Sequence, residues 1–173
     1  MNRKRIYLAG GCYWGTQHFL KQIPGIEETK VGFANGNVEN PTYEQVCQHT
    51  TGFAETVEIV YDVDQVSLNT ILRLYFKTID PTSVNKQGED EGDQYRTGIY
   101  YVEQEDEPII HDAIAILQQK YNEPIAIEVL PLRNYYPAHE AHQDYLDKNP
   151  QGYCHVDSSL FALAKKGIKA LED

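Results

Sequence analysis

Apolar positions along the chain follow two rhythms. Short apolar or alternating runs mark strands over Arg5–Ala9, Glu28–Phe33, Thr56–Tyr61, Thr97–Val102 and Ile125–Leu130, the third and fifth rich in β-branched residues. A helical rhythm marks Leu68–Ile79: Leu68, Ile71, Leu72, Tyr75, Phe76 and Ile79 share one face. Ile110, Ala113, Ile114, Leu117 and Tyr121 do the same within Glu105–Tyr121. Cys12–Gln22, Thr42–Gln48 and Ala138–Lys148 read as further helices, and Ser158–Leu171 as a helical tail. With the short Thr42–Gln48 helix left out, the order up to Leu130 is strand, helix, strand, strand, helix, strand, helix, strand. It predicts an α/β (α+β) fold, a mixed sheet covered by helices on one side and close to a ferredoxin-like, split-βαβ plait. Asp80–Gln94 is polar and holds Pro81, Gly88 and Gly92, a long loop of the kind that often carries function.

A length of 173 residues predicts one domain with room for a core. The formal net charge is −11, from 26 acidic and 15 basic residues, so no basic stripe meets phosphates. Nucleic-acid and anionic-membrane partners are therefore not expected, and Arg3-Lys4-Arg5 reads as a solvated end. No apolar run reaches membrane-spanning length and none before Cys12 reads as a signal peptide, which predicts a cytoplasmic protein. Three scattered cysteines, Cys12, Cys47 and Cys154, do not make a disulfide framework. An odd count in a reducing compartment points to a transient, catalytic disulfide.

Gly10-Gly11-Cys12-Tyr13-Trp14-Gly15 carries the most chemistry. It lies where a strand turns into a helix, so Cys12 meets free N–H groups and the positive end of a helix dipole. Both favour the thiolate, which is the nucleophile. The flanking glycines let a substrate approach the backbone, and Tyr13 and Trp14 can wall an apolar pocket over the sulfur. Cys154 lies in the turn-rich Asn149-Pro150-Gln151-Gly152-Tyr153, where a mobile thiol suits a resolving role, the other reading being an exposed bystander. Cys47 shares a helical face with Tyr43 and Val46 and reads as buried. Glu55, between Phe53 and Val57 at a strand start, is either a desolvated carboxyl with a raised pKa, fit to donate a proton, or an exposed strand-end glutamate. Tyr43 and Tyr95 are two of thirteen tyrosines, and composition does not single them out. His139 and His142, at i, i+3, with Cys154 or His155 lack the zinc-protease spacing, and Glu89-Asp90-Glu91 lacks that of a calcium loop, so no metal is expected.

At these residues the chain resembles the A-type peptide methionine sulfoxide reductases, over about residues 5–155. Gly11-Cys12-Tyr13-Trp14-Gly15 is similar to the family's Gly-Cys-Phe-Trp-Gly. Asn40-Pro41-Thr42-Tyr43-Glu44-Gln45-Val46-Cys47 with Thr51-Gly52-Phe53-Ala54-Glu55 resembles its second block, and residues from Gly88 to Arg96 its third. His142-Gln143-Asp144-Tyr145-Leu146 with Lys148-Asn149-Pro150-Gln151-Gly152-Tyr153-Cys154 resembles its fourth. Four blocks in order are far more specific than one. The resemblance implies a two-layer α/β sandwich built on the plait, forming one catalytic domain with a mobile C-terminal segment from about Asn149. It implies Cys12 as nucleophile, Glu55 as the acid facing the sulfoxide oxygen, and Tyr43 and Tyr95 as hydroxyl donors to that oxygen. Tyr13 and Trp14 would form the S-methyl pocket, Asp90 would help hold the site, and Cys154 would resolve the Cys12 sulfenic acid as a disulfide. Thioredoxin, or dithiothreitol in its place, would be the reductant, with no bound cofactor and with the S epimer in oxidised proteins and peptides as substrate. Departures are Tyr13 for Phe, Phe53 for a frequent His, Gly32-Phe33-Ala34-Asn35-Gly36 for Gly-Tyr-x-Gly-Gly, Ala138-His139-Glu140-Ala141 for Ala-Glu-Asp-Tyr, and no cysteine after Cys154. A thiol peroxidase, a Cys/His metal protein and a non-catalytic binder of oxidised methionine are the rival readings. The first would not need the Tyr13-Trp14 pocket.

Overall fold

Strand β1 (Arg3–Ala9) runs along the middle of a six-stranded sheet in this computed structural model, which describes residues 2–39, 41–47, 51–87 and 90–171, with the backbone alone for Cys47. Helix α1 (Tyr13–Leu20) and β2 (Ile26–Ala34) follow, then a short α2 (Tyr43–Cys47), β3 (Ala54–Asp62) and α3 (Leu68–Tyr75). A two-stranded ribbon, β4 (Lys86–Gln87) with β5 (Asp90–Glu91), precedes β6 (Gly98–Tyr101), α4 (Asp106–Gln118), β7 (Glu128–Pro131) and β8 (Tyr135–Pro137). The chain ends in α5 (Tyr145–Lys148), α6 (Ser159–Lys165) and a 3₁₀ turn over Gly167–Leu171. The sheet order is β7-β6-β1-β3-β2-β8, and only the β6–β7 pair is parallel.

Alternation along the strands builds two apolar clusters. Ile6 and Leu8 of β1, Val57 and Ile59 of β3 and Ile99 of β6 face the main core, with Phe19 and Leu20 of α1 and Ile71, Leu72 and Tyr75 of α3. Tyr7, Ala9, Ala54 and Tyr100 face the other way and form a smaller cluster with Tyr135 packed on it. The core is made of branched aliphatic and aromatic side chains; the chain's single methionine is Met1, outside the described residues. At the C-terminal end of β1 the buried Tyr75 hydroxyl donates to the Ala9 carbonyl, fixing the strand where the Gly10-Gly11 turn begins. The basic run at the N-terminus is ion-paired: Lys4 contacts Glu103, Glu105 and Asp106, and Arg3 contacts Glu27. No helix of the described residues is long and apolar enough to cross a membrane.

Several boundaries differ from the sequence reading. The expected helix over Ala138–Lys148 is absent: β8 ends at Pro137, a 3₁₀ turn covers Glu140–His142, and only Tyr145–Lys148 is helical. The cause is the buried Gln143. Its amide accepts from Val31 N–H (2.9 Å) and donates to the Val31 and Ala138 carbonyls (2.8 and 3.1 Å), so this segment serves as a strand partner for β2. Asp144, at φ 51°, then breaks the backbone before α5. The Leu68–Ile79 helix ends at Tyr75, continues as 3₁₀ over Phe76–Thr78, and leaves Ile79 extended. The strand expected over Ile125–Leu130 is β7, which begins at Glu128 and ends at Pro131. Residues 80–94 hold the β4–β5 ribbon and a 3₁₀ turn over Asp93–Tyr95; Gly88 and Glu89 lie outside the described residues. The tail is interrupted at Gly167, whose φ is 57°.

Replacing Gln143 with Leu should cost on the order of 1–3 kcal/mol, because Val31 N–H loses its buried acceptor while its carbonyl keeps the Ala138 N–H at 2.9 Å. Urea unfolding of the purified variant checks this: the midpoint should fall with the slope unchanged.

Candidate active site

The turn between β1 and α1 places Cys12 at the helix's N-cap, with φ −63° and ψ 127°. Gly11 before it has φ 77°, a left-handed conformation that glycine adopts without a steric penalty. Thr16 in the first turn donates its hydroxyl to the Gly10 carbonyl (3.0 Å). Gly11 N–H donates to the Tyr95 carbonyl (3.1 Å), and Cys12 N–H to Asp90 Oδ2 (3.3 Å). The start of α1 is thus held by the ribbon and turn that precede β6. Cys12 and Cys154 are both free thiols, the first buried and the second half-buried.

Glu55 lies on β3, opposite Phe33 of β2, and is 1% exposed. One oxygen accepts from Tyr13 N–H (3.2 Å), the other from Gln94 Nε2 (2.9 Å). Burial pushes its carboxyl up to about 7, with Asp90 adding to the rise and the two hydrogen bonds opposing it. Of the two readings open from sequence, the desolvated carboxyl is the one observed. The thiol of Cys12 runs against the sequence reading. Burial first, then the negative fields of Glu55 and Asp90, holds it well above the ordinary thiol range, although a Trp14 backbone hydrogen bond works the other way. The helix start is there, but in a desolvated setting with carboxylates as neighbours it does not make a resting thiolate.

An aromatic box stands beside the thiol. Trp14 stacks on Tyr145 with ring centroids 3.7 Å apart and donates Nε1–H to His142 Nδ1 (3.2 Å). The His142 ring in turn stacks on Tyr43 (4.9 Å) and lies 5.9 Å from Tyr13. Tyr13 also meets Phe33 at 5.7 Å and is buried. Tyr43 is on the exposed side of α2, 37% accessible, while Val46 is buried; the Cys47 side chain, expected in the core, lies outside the described residues, as do Asn40 and Gln48. Tyr95 is half-buried against the core, next to Gln94. Cys154 comes back to the same turn: a Cβ built on Gly15 would stand 3.0 Å from its Sγ. A groove of about 570 Å³ beside it is lined by Leu146, Gly152, Cys154, Val156 and Phe161, among others.

Thus Cys12, Tyr13, Trp14, Glu55, Asp90, Tyr95 and Cys154 surround one turn, and Tyr43 reaches it through His142. Gln94 was missed as an individual residue and His142 was weighed only as a metal ligand, although both fall inside the resembling blocks. Spacing shows no role for an amide that satisfies a distant carboxyl. Among the departures, Asn35 adopts φ 54°, with Oδ1 accepting from Arg133 N–H (2.7 Å) and Nδ2 donating to the Pro131 carbonyl (3.2 Å). Asparagine is the side chain best suited to replace glycine there. Phe53 fills space that only a glycine at Gly36 leaves, since a Cβ there would lie 2.2 Å from its ring.

The described geometry can be set beside known proteins. The family model for peptide methionine sulfoxide reductase matches residues 4–170. A relative from Lachnoclostridium phytofermentans, peptide methionine sulfoxide reductase MsrA, is 56% identical over 94% of this chain and 98% of its own length. The crystal structure of Mxr1 from Saccharomyces cerevisiae in reduced form is similar at a TM-score of 0.84, with 38% identity and 88% of each chain covered. Mxr1 in complex with Trx2 matches at 0.60, with 27% identity over 83% of this chain and 84% of that one.

Glu55 should make stability depend on pH in a defined direction. Its folded pKa lies above the usual 4.5, so the folded state binds the extra proton and stability falls as pH rises from about 4.5 to about 7. Glu55→Gln should remove that fall, so that its stability relative to the wild type rises by on the order of 3 kcal/mol between pH 4 and pH 8. Urea titrations at several pH values measure it. An equal pH slope in both proteins would count against a buried, raised carboxyl.

Proposed function

The chain belongs to the peptide methionine sulfoxide reductase family, and we propose that it reduces methionine-S-sulfoxide, free or in oxidised proteins and peptides, through Cys12 and Cys154 with thioredoxin as the reductant. The observation that carries this reading is the meeting of a free, buried thiol with a carboxyl that titrates near neutrality at one turn. A sulfoxide sulfur is a poor electrophile until its oxygen takes a proton. Glu55 gives that proton as Cys12 attacks, and the proton leaving the thiol restores the acid. Tyr43 and Tyr95 steady the oxygen, Tyr13 and Trp14 receive the S-methyl group, and Asp90 holds the Cys12 backbone. Methionine leaves two electrons richer, and Cys12 keeps the oxygen as a sulfenic acid.

A resting thiol fits this order of events. A permanent thiolate would react with any oxidant, whereas a protonated one needs a substrate whose oxygen can accept the proton. Cys154 then displaces the sulfenic oxygen as water, forming a Cys12–Cys154 disulfide that thioredoxin reduces. The Mxr1–Trx2 complex supports that partner, and the groove beside Cys154 gives a protein reductant a place to approach. No prosthetic group enters this cycle, and small dithiols such as dithiothreitol substitute for thioredoxin. A cycle that begins from two thiols calls for a reducing compartment, the cytoplasm. We further read the whole chain as one catalytic domain whose segment from about Asn149 moves, and the central order β6-β1-β3-β2, antiparallel throughout, as the plait.

Cys12→Ser should abolish turnover with excess dithiothreitol, because an unassisted serine hydroxyl is a poor nucleophile. Glu55→Gln should slow the single-turnover step on the order of 10²–10⁴-fold at neutral pH. Cys154→Ser should still release one methionine per enzyme, leave a Cys12 sulfenic acid that dimedone traps, and lose thioredoxin-driven turnover. Assays on each sulfoxide epimer with each reductant test the whole reading. Wild-type turnover in Cys12→Ser, or a Cys12 disulfide with Cys47, would overturn it.

A further inference from the structure

His155 is the titratable group at this turn that the cycle above leaves unused. Both of its ring nitrogens are sealed from solvent, and neither completes a well-formed hydrogen bond among the described residues, although the Gly10 carbonyl lies near enough to act on the ring. A buried imidazole with two idle nitrogens is costly unless it is put to use. The ring sits over the two glycines that bracket Cys12. A Cβ on Gly11 would stand 2.8 Å from Nε2, and one on Gly15 would stand 3.1 Å from Nδ1 and 3.0 Å from Cys154 Sγ. The missing side chains of Gly11 and Gly15 are therefore the slot that admits the ring, and Nδ1 and the Cys154 sulfur, whose thiol donates to the Val156 carbonyl (3.4 Å), both lie against Gly15 in the first turn after Cys12.

Resting on the Cys12–Cys154 reading, we propose that His155 accepts the Cys154 proton as that sulfur attacks the oxidised Cys12. The balance is complete. The Cys154 S–H bond breaks and its proton goes to the imidazole; the S–S bond forms as the S–O bond of the Cys12 sulfenic acid breaks. The departing hydroxide takes a proton and leaves as water, and the imidazolium returns to neutral. The sulfenic acid is the only oxidant needed. Burial keeps the ring neutral and ready to accept, and it raises the Cys154 thiol, which then needs a base. The groups acting on the ring are Asp90 from β5 and the Gly10 carbonyl, with the Cys154 sulfur packed beside it against Gly15. Asp90 and that carbonyl favour the ring's protonated form and so steady the imidazolium once it forms.

Rapid mixing of reduced full-length enzyme with methionine sulfoxide, without external reductant, separates the two steps. In His155→Ala and His155→Gln the methionine burst should keep its wild-type rate, which also shows that the Cys12 site has folded. Disulfide formation should slow on the order of 10²-fold, with dimedone-trappable Cys12 accumulating. The wild-type disulfide step should level off above the imidazole's titration, and the variants should keep rising with pH. Added imidazole should speed His155→Ala. Glutamine fills the slot without accepting a proton, so a wild-type disulfide rate in His155→Gln would reduce His155 to a filler and overturn the proposal. So would unslowed disulfide formation in both variants, or a loss equal at every pH. Wild-type enzyme that makes methionine but joins other cysteines would instead overturn the Cys154 reading beneath it.

Discussion

The Glu55 carboxyl accepts Tyr13 N–H on one oxygen and Gln94 Nε2 on the other, with almost no exposure to water. Three stretches of chain distant in sequence meet there: the start of α1, strand β3 and the turn before β6. Because a buried carboxyl without donors is costly, the positions of Tyr13 and Gln94 are set by it. Tyr13 is covalently next to Cys12, so the constraint that satisfies the carboxyl also fixes the thiol we propose as nucleophile. Asp90, bonded to Cys12 N–H, ties the ribbon to the same place. The Tyr75 hydroxyl beneath the turn anchors the end of β1. The reactive turn is therefore a junction of the sheet rather than a loop laid upon it.

Electrostatics at that junction runs in one direction. Removing water raises the acid and the thiol alike, and the charges of Glu55 and Asp90 raise the thiol further. The two groups are poised as proton holders, which suits a reaction that moves oxygen between sulfurs with no net proton released. Beside them stands the aromatic box, where Trp14 is clamped by stacking on Tyr145 and by its bond to His142.

The sequence made the framework legible where one principle dominates. Short apolar or alternating runs marked β1, β2 and β3, and helical periodicity marked α3 and α4. Cys12 and Glu55 were legible because glycines and apolar neighbours frame them. What stayed hidden depends on long-range partners. Gln143 turns an apparently helical stretch into a strand mimic through Val31, more than a hundred residues away. The rise of the thiol follows from its burial first and then from Glu55 and Asp90, whose nearness no local window reveals. Helix ends drifted because Tyr75 and Asp144 answer to tertiary contacts rather than to their neighbours in sequence.

The composition of the core has a meaning of its own. Its packing relies on leucine, isoleucine, valine, phenylalanine and tyrosine, and the chain's single methionine is Met1. Oxidation of a thioether turns a flexible apolar side chain into a polar one and disrupts the core that holds it. A fold whose core holds none keeps its packing under the stress that creates its substrates. The repair agent does not compete with its clients for its own active site, nor does it wait on another copy of itself to be mended.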